Sequence, residues 1–308
     1  MSDWRPSARP AALRMRAATL KRIRDFMAER QTMEVATPVI TSAGVTEPQI
    51  ESLALDRAQG YLRTSPEYFH KRMLAAGCGD LYEIGPVFRS AESGRVHRQE
   101  FTLLEWYRVG RGWQHMATET LELIIACSPP QHPGWQTRTV AWHELFRERL
   151  GFDPSLDAAA AVRLTRDSLP ADCDTDMRLD YLFSTAIQDR FPRYQLTVVH
   201  GYPASQAALA CLDPLDPRLA CRFEVFAGSL ELANGYQELT DPVEQRRRFE
   251  RDNARRAVLG RPGMPIDEDL LAAMAHGLPA CSGVAMGIER LLMAFSEASE
   301  ISAVMAFG

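Results

Sequence analysis

The chain has 308 residues, 46% of them hydrophobic and 24% charged, an ordinary globular composition that allows one large domain or two modest ones. Its 35 Lys and Arg against 40 Asp and Glu give a net charge of −5, which excludes a global basic field for gathering nucleic acid. The six cysteines form no CxxC pair and no zinc-type cluster, and the N-terminus lacks the apolar core of a secretory signal. These features predict a soluble, cytoplasmic protein with reduced thiols.

Residues 9–30 carry apolar side chains at helical spacing and predict an amphipathic helix. Basic side chains lie largely on the opposite face of this helix: Arg14, Lys21, Arg22 and Arg24. That face is either solvated or, on a second hypothesis, a docking surface for an acidic partner.

The rest of the chain mixes extended and helical segments. Strands are predicted at 34–40, with Pro38 at an edge or strand end, at 81–90 and 99–110 as a hairpin, and at 195–203 and 222–239. A helical insertion is predicted at about 113–192. Asp241, Pro242 and Glu244 have the order of a helix start, and that helix is predicted to run to about 258. A Gly-rich strand, SGVAMGIER, leads into a last helix. Hairpins with interposed helices predict an α+β fold on an antiparallel sheet.

The segment from Phe88 to Tyr107, FRSAESGRVHRQEFTLLEWY, raises the first functional hypothesis. In an extended strand, Glu105 and Tyr107 point to the same face as Phe101. The glutamate is therefore either a solvated residue of a half-exposed strand or part of a site.

Three separated segments place polar groups among apolar strand residues: Arg89 with Glu105 and Tyr107; Glu231, Asn234 and Glu238 in ELANGYQE; and Arg290 before the final helix. Buried charges are costly unless they are paired or liganded. Ion pairs explain single instances, but arginines facing several carboxylates favour a polyanion site beside a cation site. The planar fork of arginine suits phosphate, and glutamates suit magnesium or an ammonium group.

In this order the segments resemble the catalytic core of the class II aminoacyl-tRNA synthetases, and of lysyl-tRNA synthetase in particular. Pro38 resembles the proline of the first motif, VFRSAESGRVHRQEFTLLEWY the second motif and GVAMGIER the third. TSPEYFHKR and ELANGYQEL resemble the lysine-specific segments. The likeness runs from about residue 9 to the end and implies an antiparallel sheet flanked by helices. It also implies a homodimer, paired through the 9–30 helix and the strand near Pro38.

Lysyl-tRNA synthetases carry an N-terminal OB domain that reads the anticodon, and we expect none here, but a single catalytic domain over 1–308. A core of this kind resembles the elongation factor P lysine ligase family, which attaches a lysyl or β-lysyl group to a lysine of that factor. YPASQAALA and CSGVAMGIER fit that family better. The implied partners are elongation factor P and lysine or β-lysine, with tRNA not the acceptor and no membrane. Two alternatives stay open: a stand-alone enzyme that charges tRNA, and a catalytically silent paralogue that regulates by binding.

The resemblance implies ATP and Mg²⁺ as cofactors. Arg89 would bridge the substrate carboxylate and the α-phosphate, and Arg290 would hold the γ-phosphate, so these two are the implied catalytic residues. The further nucleotide contacts implied are Ser90, Ala91, Glu92, His97, Arg98, Phe101, Glu231, Leu232 and Gly287. Among them, Phe101 would stack on adenine. Glu231 and Glu238 would bind magnesium.

The implied lysyl pocket consists of Ser65, Pro66, Glu67, Glu105, Tyr107, Asn234, Glu238 and Ala285. Glu105, Tyr107 and Glu238 would hold the distal ammonium. Glu67, with Ser65 nearby, would hold the other amine, and Asn234 the carboxylate.

Three positions depart from the pattern of the synthetases. Ala91 stands where they usually have an adenine-reading glutamate, with Glu92 one step later, and Arg98 stands where they usually have asparagine. Ala285 replaces a glycine, and its methyl group is expected to favour β-lysine, whose amine lies one carbon further from the carboxylate.

Overall fold

A mixed eight-stranded sheet forms the centre of the molecule, beside a small three-stranded sheet. The computed structural model describes residues 4–56, 60–90 and 93–308. The strands are β1 Met33–Glu34, β2 Ile40–Thr41, β3 Leu53–Leu55, β4 Gly60–Leu62, β5 Leu81–Phe88, β6 Glu100–Val109, β7 Gln136–Ala141, β8 Gln195–His200, β9 Arg222–Ala227, β10 Leu230–Gln237 and β11 Cys281–Gly287.

Helices cover both faces of the large sheet. They are α1 Pro10–Glu29, α2 Glu67–Ala75, α3 Trp113–Cys127, α4 Trp142–Leu150, α5 Ala158–Thr165, α6 Thr175–Leu182, α7 Pro242–Val258, α8 Glu268–Gly277 and α9 Ile288–Ser296. Within the described residues, none of these helices combines the length and the apolar character that crossing a bilayer requires.

The large sheet has the strand order β1-β5-β6-β11-β10-β9-β8-β7. Its inner neighbours are antiparallel, while the outermost pairs, β1 with β5 and β7 with β8, are parallel. The predicted α+β fold on a mainly antiparallel sheet is therefore confirmed. The smaller sheet has the order β2-β4-β3.

Two predicted elements differ from the structure. The strand predicted over 34–40 is wrong, because only its ends pair, as parts of β1 and β2. Between them the Arg63 guanidinium donates a hydrogen bond to the Thr37 carbonyl at 3.1 Å. Pro38 has no N–H that could donate to a neighbouring strand. The predicted helical segment 113–192 contains helices, but it also contains β7, which closes one edge of the sheet.

Strand β6 shows how the sheet separates its core face from its cavity face. Leu104 and Trp106 are fully buried in the main hydrophobic core, which α1, α3 and α9 build against the sheet. Leu103, Glu105 and Tyr107 alternate with them and point to the opposite face. That second face carries the candidate site, between a cluster of α2, α7 and α8 and a cluster of α4, α5 and α6.

A β-bulge in β10 brings two polar residues to the cavity face. Glu231 pairs with Phe226 of β9 and Asn234 with Glu224, but the register shifts between Glu231 and Ala233. Since a bulge adds one residue to a strand, Glu231 and Asn234 face the same side although they are three positions apart.

Candidate active site

A cavity of about 210 Å³ lies on the second face of the sheet, over β6, β11 and β10. Most of the residues predicted from the sequence line it: Ser65, Glu67, Arg89, His97, Arg98, Phe101, Glu105, Tyr107, Glu231, Leu232, Asn234, Glu238, Ala285, Gly287 and Arg290. Strand register explains the convergence, since Ala285 pairs with Glu105 on one side and with Asn234 on the other.

The other predicted residues are placed elsewhere. Pro66 is buried at the N-terminus of α2, where its fixed φ suits a helix start. Ser90 is held through its backbone, because its N–H donates to the Glu51 carbonyl at 2.9 Å and its carbonyl accepts from Gln99 at 2.7 Å. Ala91 and Glu92 lie outside the described residues, so the question of the missing adenine-reading glutamate stays open.

One end of the cavity is cationic and aromatic. Arg290 donates to the Glu231 carbonyl at 3.1 Å, and its Nη2 lies 2.5 Å from Nε2 of His97. The guanidinium carbon of Arg89 lies 5.1 Å from the centre of the Phe101 ring, a cation–π contact. Two arginines and an imidazole beside a half-buried aromatic ring fit a nucleoside polyphosphate.

Buried carboxylates form the other end. Glu105 is only 2% exposed, so the hypothesis of a solvated strand glutamate is wrong. Its two oxygens accept from the Ser65 hydroxyl at 2.6 Å and from the Tyr107 hydroxyl at 2.9 Å. Ser65 thus lies with Glu105, and its hydroxyl also accepts from the backbone N–H of Glu67 at 3.0 Å.

Helix α2 contributes two charged residues that the sequence analysis did not single out. Lys71 is 1% exposed, and its Nζ lies 2.7 Å from Oε1 of Glu67 and 2.6 Å from Oε2 of Glu238. His70 is fully buried and lies 3.1 Å from Glu83 and 3.5 Å from Glu105. The sequence signal that could have identified Lys71 is its spacing of four residues from Glu67, which places both side chains on one face of a helix.

Burial sets the electrostatics of this end. It raises the pKa of the Glu67 and Glu238 carboxyls, and the Lys71 ammonium opposes that rise. Burial alone would lower the pKa of His70, but the carboxylates of Glu105 and Glu83 outweigh it and raise that pKa above its usual value. The cavity therefore ends in carboxylates that are short of positive charge, which suits a substrate ammonium.

Glu231 and Glu238 do not form one carboxylate pair. Glu238 faces Lys71, while Oε2 of Glu231 lies 3.5 Å from Arg290. The acidic neighbour of Glu231 is Glu224 of β9, whose pKa is raised by burial and also by the negative charge of Glu231. Within the described chain no cluster of three or more metal-binding side chains occurs, so protein oxygens alone do not make a closed metal site.

A second cavity of about 550 Å³ adjoins the first and shares Glu67, Glu231 and Asn234 with it. Asp180 and Asp252 lie in its wall, and burial is the main cause that raises the pKa of each to about 6. This cavity has room for part of a second, larger substrate. Carboxylates outnumber the arginines of its wall, Arg222, Arg251 and Arg255, so the wall is acidic on balance and favours a cation.

Comparison with known proteins agrees with this geometry. Residues 1–308 match the family model of tRNA synthetases class II (D, K and N). A protein of Vibrio cholerae serotype O1 is 41% identical, over 99% of this chain and 98% of its own. One of Hamiltonella defensa is 42% identical, over 99% and 97%, and one of Edwardsiella ictaluri is 40% identical, over 100% and 98%. All three are named elongation factor P--(R)-beta-lysine ligase.

Proposed function

The chain belongs to the class II tRNA synthetases (D, K and N), and on that premise we propose that it is an ATP-dependent ligase for lysine or (R)-β-lysine. It would transfer the activated acyl group to a lysine side chain of translation elongation factor P, the substrate in the names of its relatives. The observation that carries the proposal is one cavity with two arginines at one end and, at the other, the buried Glu105 and Glu238 beside the half-buried Glu67.

The first step joins the amino acid to AMP. An oxygen of the substrate carboxylate attacks the α-phosphorus of ATP, the bond to the β-phosphate oxygen breaks, and pyrophosphate leaves. Arg89 would hold the carboxylate against the α-phosphate, and Arg290 would neutralise the terminal phosphate. Positioning and charge neutralisation carry such a reaction, because the protein forms no bond to phosphorus.

Magnesium fits the phosphate end. Glu231 lies beside Arg290, whereas Glu238 is held by Lys71, and Glu224 is held by Arg222 and the Tyr202 hydroxyl. Glu231 would therefore hold the metal together with phosphate oxygens, as Mg²⁺ prefers, and the second ligand that the resemblance implies, Glu238, stays a prediction. Bound there, the ion would supply positive charge against the phosphate oxygens.

The amine end selects a diamine. Glu105, held by Ser65 and Tyr107, would take the distal ammonium together with Glu238, and Glu67 would take the second amine. The side-chain amide of Asn234 lines the cavity and has a buried oxygen without a hydrogen-bond partner in the described chain. Its NH₂ group would donate to the substrate carboxylate. Desolvated carboxylates penalise an amino acid without the matching cation.

The second step forms an amide. The neutral ε-amine of the acceptor lysine attacks the acyl carbon, AMP leaves with the bonding electrons, and the amine loses a proton. The larger cavity would admit that side chain, and its acidic wall favours a cationic lysine over the phosphates of tRNA. The net charge of −5 supports the same choice.

Intact-mass analysis tests the proposal. Purified protein, ATP and either isomer are incubated with elongation factor P or with tRNA, and ATP–pyrophosphate exchange is followed in parallel. We expect exchange and a mass gain on the protein acceptor. If neither isomer supports ATP–pyrophosphate exchange, the proposal is wrong and the protein is the catalytically silent paralogue. If the amino acid is transferred to tRNA as fast as to elongation factor P, the protein is the tRNA-charging enzyme.

Isomer preference is tested in the same assay through Ala285. Its methyl group lies between Glu105 and Asn234 on the cavity floor, and we expect it to favour β-lysine by roughly 10–200-fold. Ala285→Gly should move the preference toward α-lysine without changing the KM for ATP. An unaltered ratio of the two isomers would contradict this role.

A further inference from the structure

The segment 203–210, PASQAALA, borders the second cavity and not the first. It follows β8 and makes a single 3₁₀ turn at Ala204–Gln206. Four of its residues line the second cavity: Ser205, Gln206, Ala208 and Leu209. None of these four lines the first cavity, where ATP and the amino acid would bind. A shift of this segment would therefore reach a second substrate and leave the first two in place.

The backbone of this segment is strained at Ala208. Its φ of +47° lies in the left-handed region, which is unfavourable for a residue that has a Cβ. Such a conformation persists only where the surroundings hold it. The non-glycine residues of the described chain with a positive φ are Gln31, Ala208 and Glu297, and of these Ala208 alone lines one of the two cavities. The strain thus lies in the wall of the second cavity.

Arg248 of α7 holds the strained backbone in place. Its residue is 4% exposed and lines neither cavity. Its Nη1 donates to the carbonyls of Ala208 at 2.8 Å and of Ala210 at 2.7 Å. Its Nε donates to Oε1 of Glu244 at 2.9 Å, which orients the guanidinium. One buried cation thus fixes the backbone at the strained residue and two positions beyond it.

Other elements hold the first half of the segment. Arg222 of β9 donates to the Gln206 carbonyl at 2.7 Å, and the Gln206 side-chain amide donates to Asp180 of α6 at 2.7 Å. Ser205 donates from its hydroxyl to Asp176 at 2.9 Å. Arg248 is therefore needed mainly for the second half, at Ala208.

The amine end of the first cavity does not depend on Arg248. The strand that carries Glu238 is held by backbone hydrogen bonds of its own, from the Glu238 N–H to the Cys281 carbonyl at 3.0 Å and from the Cys211 N–H to the Gln237 carbonyl at 2.8 Å. Loss of the Arg248 side chain leaves both of these bonds in place.

Resting on the proposed function, we propose that Arg248 is a positioning residue for the second step: it fixes the segment 203–210 as the wall along which the acceptor lysine reaches the acyl-adenylate. The wall suits a lysine side chain. Ala208 and Leu209 offer apolar surface to its methylene groups, while Asp180 and Asp252 of the same cavity attract its ammonium group. Arg248 itself would touch no substrate.

The test separates the two steps in the full chain. The adenylate formed from ATP and lysine or β-lysine is discharged either to hydroxylamine or to elongation factor P. In both cases a nitrogen attacks the acyl carbon, AMP leaves with the bonding electrons and the nitrogen loses a proton, but hydroxylamine is too small to need the wall. For Arg248→Met we expect unchanged ATP–pyrophosphate exchange and hydroxamate formation, and a roughly 10- to 100-fold lower kcat/KM for elongation factor P.

Arg247→Met is the matched control, because Arg247 also donates to Glu244, from Nε at 2.7 Å, but its side chain is 69% exposed. It should change neither exchange, nor hydroxamate formation, nor transfer to protein. Ala208→Val disturbs the same wall without touching Arg248, since a β-branched residue disfavours a positive φ. It should lower transfer to elongation factor P alone, and it takes the place of Arg248→Met if that variant does not fold.

The outcomes separate the two levels of the argument. An unaltered chain that forms no hydroxamate, or that forms it but does not modify elongation factor P, would overturn the proposed function and this inference together. If the unaltered chain modifies the protein and Arg248→Met does so equally fast, the role of Arg248 alone is wrong. Parallel losses of exchange, hydroxamate and protein transfer in Arg248→Met, or the same selective loss in Arg247→Met, would also overturn it.

Discussion

At the scale of single residues, the two arginines of the phosphate end differ in how they are held. Arg290 is fixed by the Glu231 and Val96 carbonyls at the start of α9, and Arg89 lies against the Phe101 ring after β5. Both line the cavity, so their side chains face the space that a ligand would occupy. Removing either one should therefore affect chemistry more than stability.

Arg290→Ala and Arg89→Ala should each abolish measurable ATP–pyrophosphate exchange while the melting temperature stays close to that of the unaltered chain. Each removes a charge-assisted contact of about 1.5–3 kcal/mol in binding, and more in the transition state. Arg193→Ala is the control, since Arg193 is 62% exposed and pairs with Glu297. Near-normal exchange in either variant would refute the assignment of that arginine.

His70 makes the stability of the fold depend on pH. Its pKa is raised because Glu105 and Glu83 outweigh burial, so the protonated ring stabilises the folded chain. That stabilisation is fully present below the ordinary histidine pKa of about 6.5 and is lost as pH rises through the higher folded-state pKa. The difference in unfolding free energy between the unaltered chain and His70→Gln should therefore shrink with rising pH. Denaturant titrations across this range check it, and a difference that grows with pH would contradict it.

At the scale of elements, α7 fixes the segment 44–52, which lines both cavities and is called the roof below. Arg256 on α7 is fully buried and donates to the Pro262 carbonyl at 2.8 Å and to the Glu47 and Ile50 carbonyls at 3.3 Å. Val45 and Ile50 of the segment line both cavities. Helix α7, which lines the second cavity through Asp252, thus also holds the segment 44–52 in position.

Arg256→Met should loosen this roof, because three backbone carbonyls lose a buried donor at a cost of about 1–3 kcal/mol. We expect faster proteolytic cleavage within 44–52 and a higher KM for both ATP and amino acid. Arg247→Met is the control, since Arg247 of α7 lines neither cavity, is 69% exposed and pairs with Glu244. Equal cleavage rates in the two variants would argue against the roof contact.

Elements with local signals were predictable from the sequence. The N-cap Asp241 accepts from the N–H groups of Val243 and Glu244, as its sequence position indicated, and α7 ends at the predicted residue. Strand β7 was missed because it is defined by pairing with the distant β8.

The same limit applies to the site. Lys71 and His70 stood in a segment already identified, but only the packing of α2 against β6 and β10 shows that their charges face inward. A helical pattern cannot say which charged face is buried by a tertiary neighbour. The roles assigned to the cavity residues stay predictions until the variants are measured, as does the cytoplasmic location.

At the scale of the whole molecule, exposed apolar residues mark an edge strand of each sheet, β1 of the large sheet and β2 of the small one. Met33 of β1 is 43% exposed and Ile40 of β2 is 54% exposed, on the segment that follows α1. An open sheet edge with apolar side chains invites pairing. This supports the homodimer that the resemblance implied, in which two copies meet through the same surface.

Sedimentation velocity at micromolar concentration should find a dimer. Ile40→Arg should shift it toward monomer, because a charge on a twofold contact meets itself across the axis. Val258→Arg is the control, at an 87% exposed position at the end of α7. A monomeric unaltered chain would refute the dimer, and equal effects of both substitutions would refute its location.

The bulge in β10 also separates two parts of the site that differ in how many neighbouring strands hold them. Residues from Ala233 onward are held between β9 and β11, whereas Leu230 and Glu231 pair with β9 alone. Asn234 therefore lies in the interior of the sheet with a strand on each side, whereas Glu231 lies beyond the bulge with a paired strand on the β9 side only. The amine end would act as a fixed gauge of substrate length, while the phosphate end gives way as pyrophosphate departs. Amide hydrogen exchange should accordingly be faster at Glu231 than at Gly235, and ATP should slow it only at the Glu231 side of the bulge; equal rates would mean one rigid body.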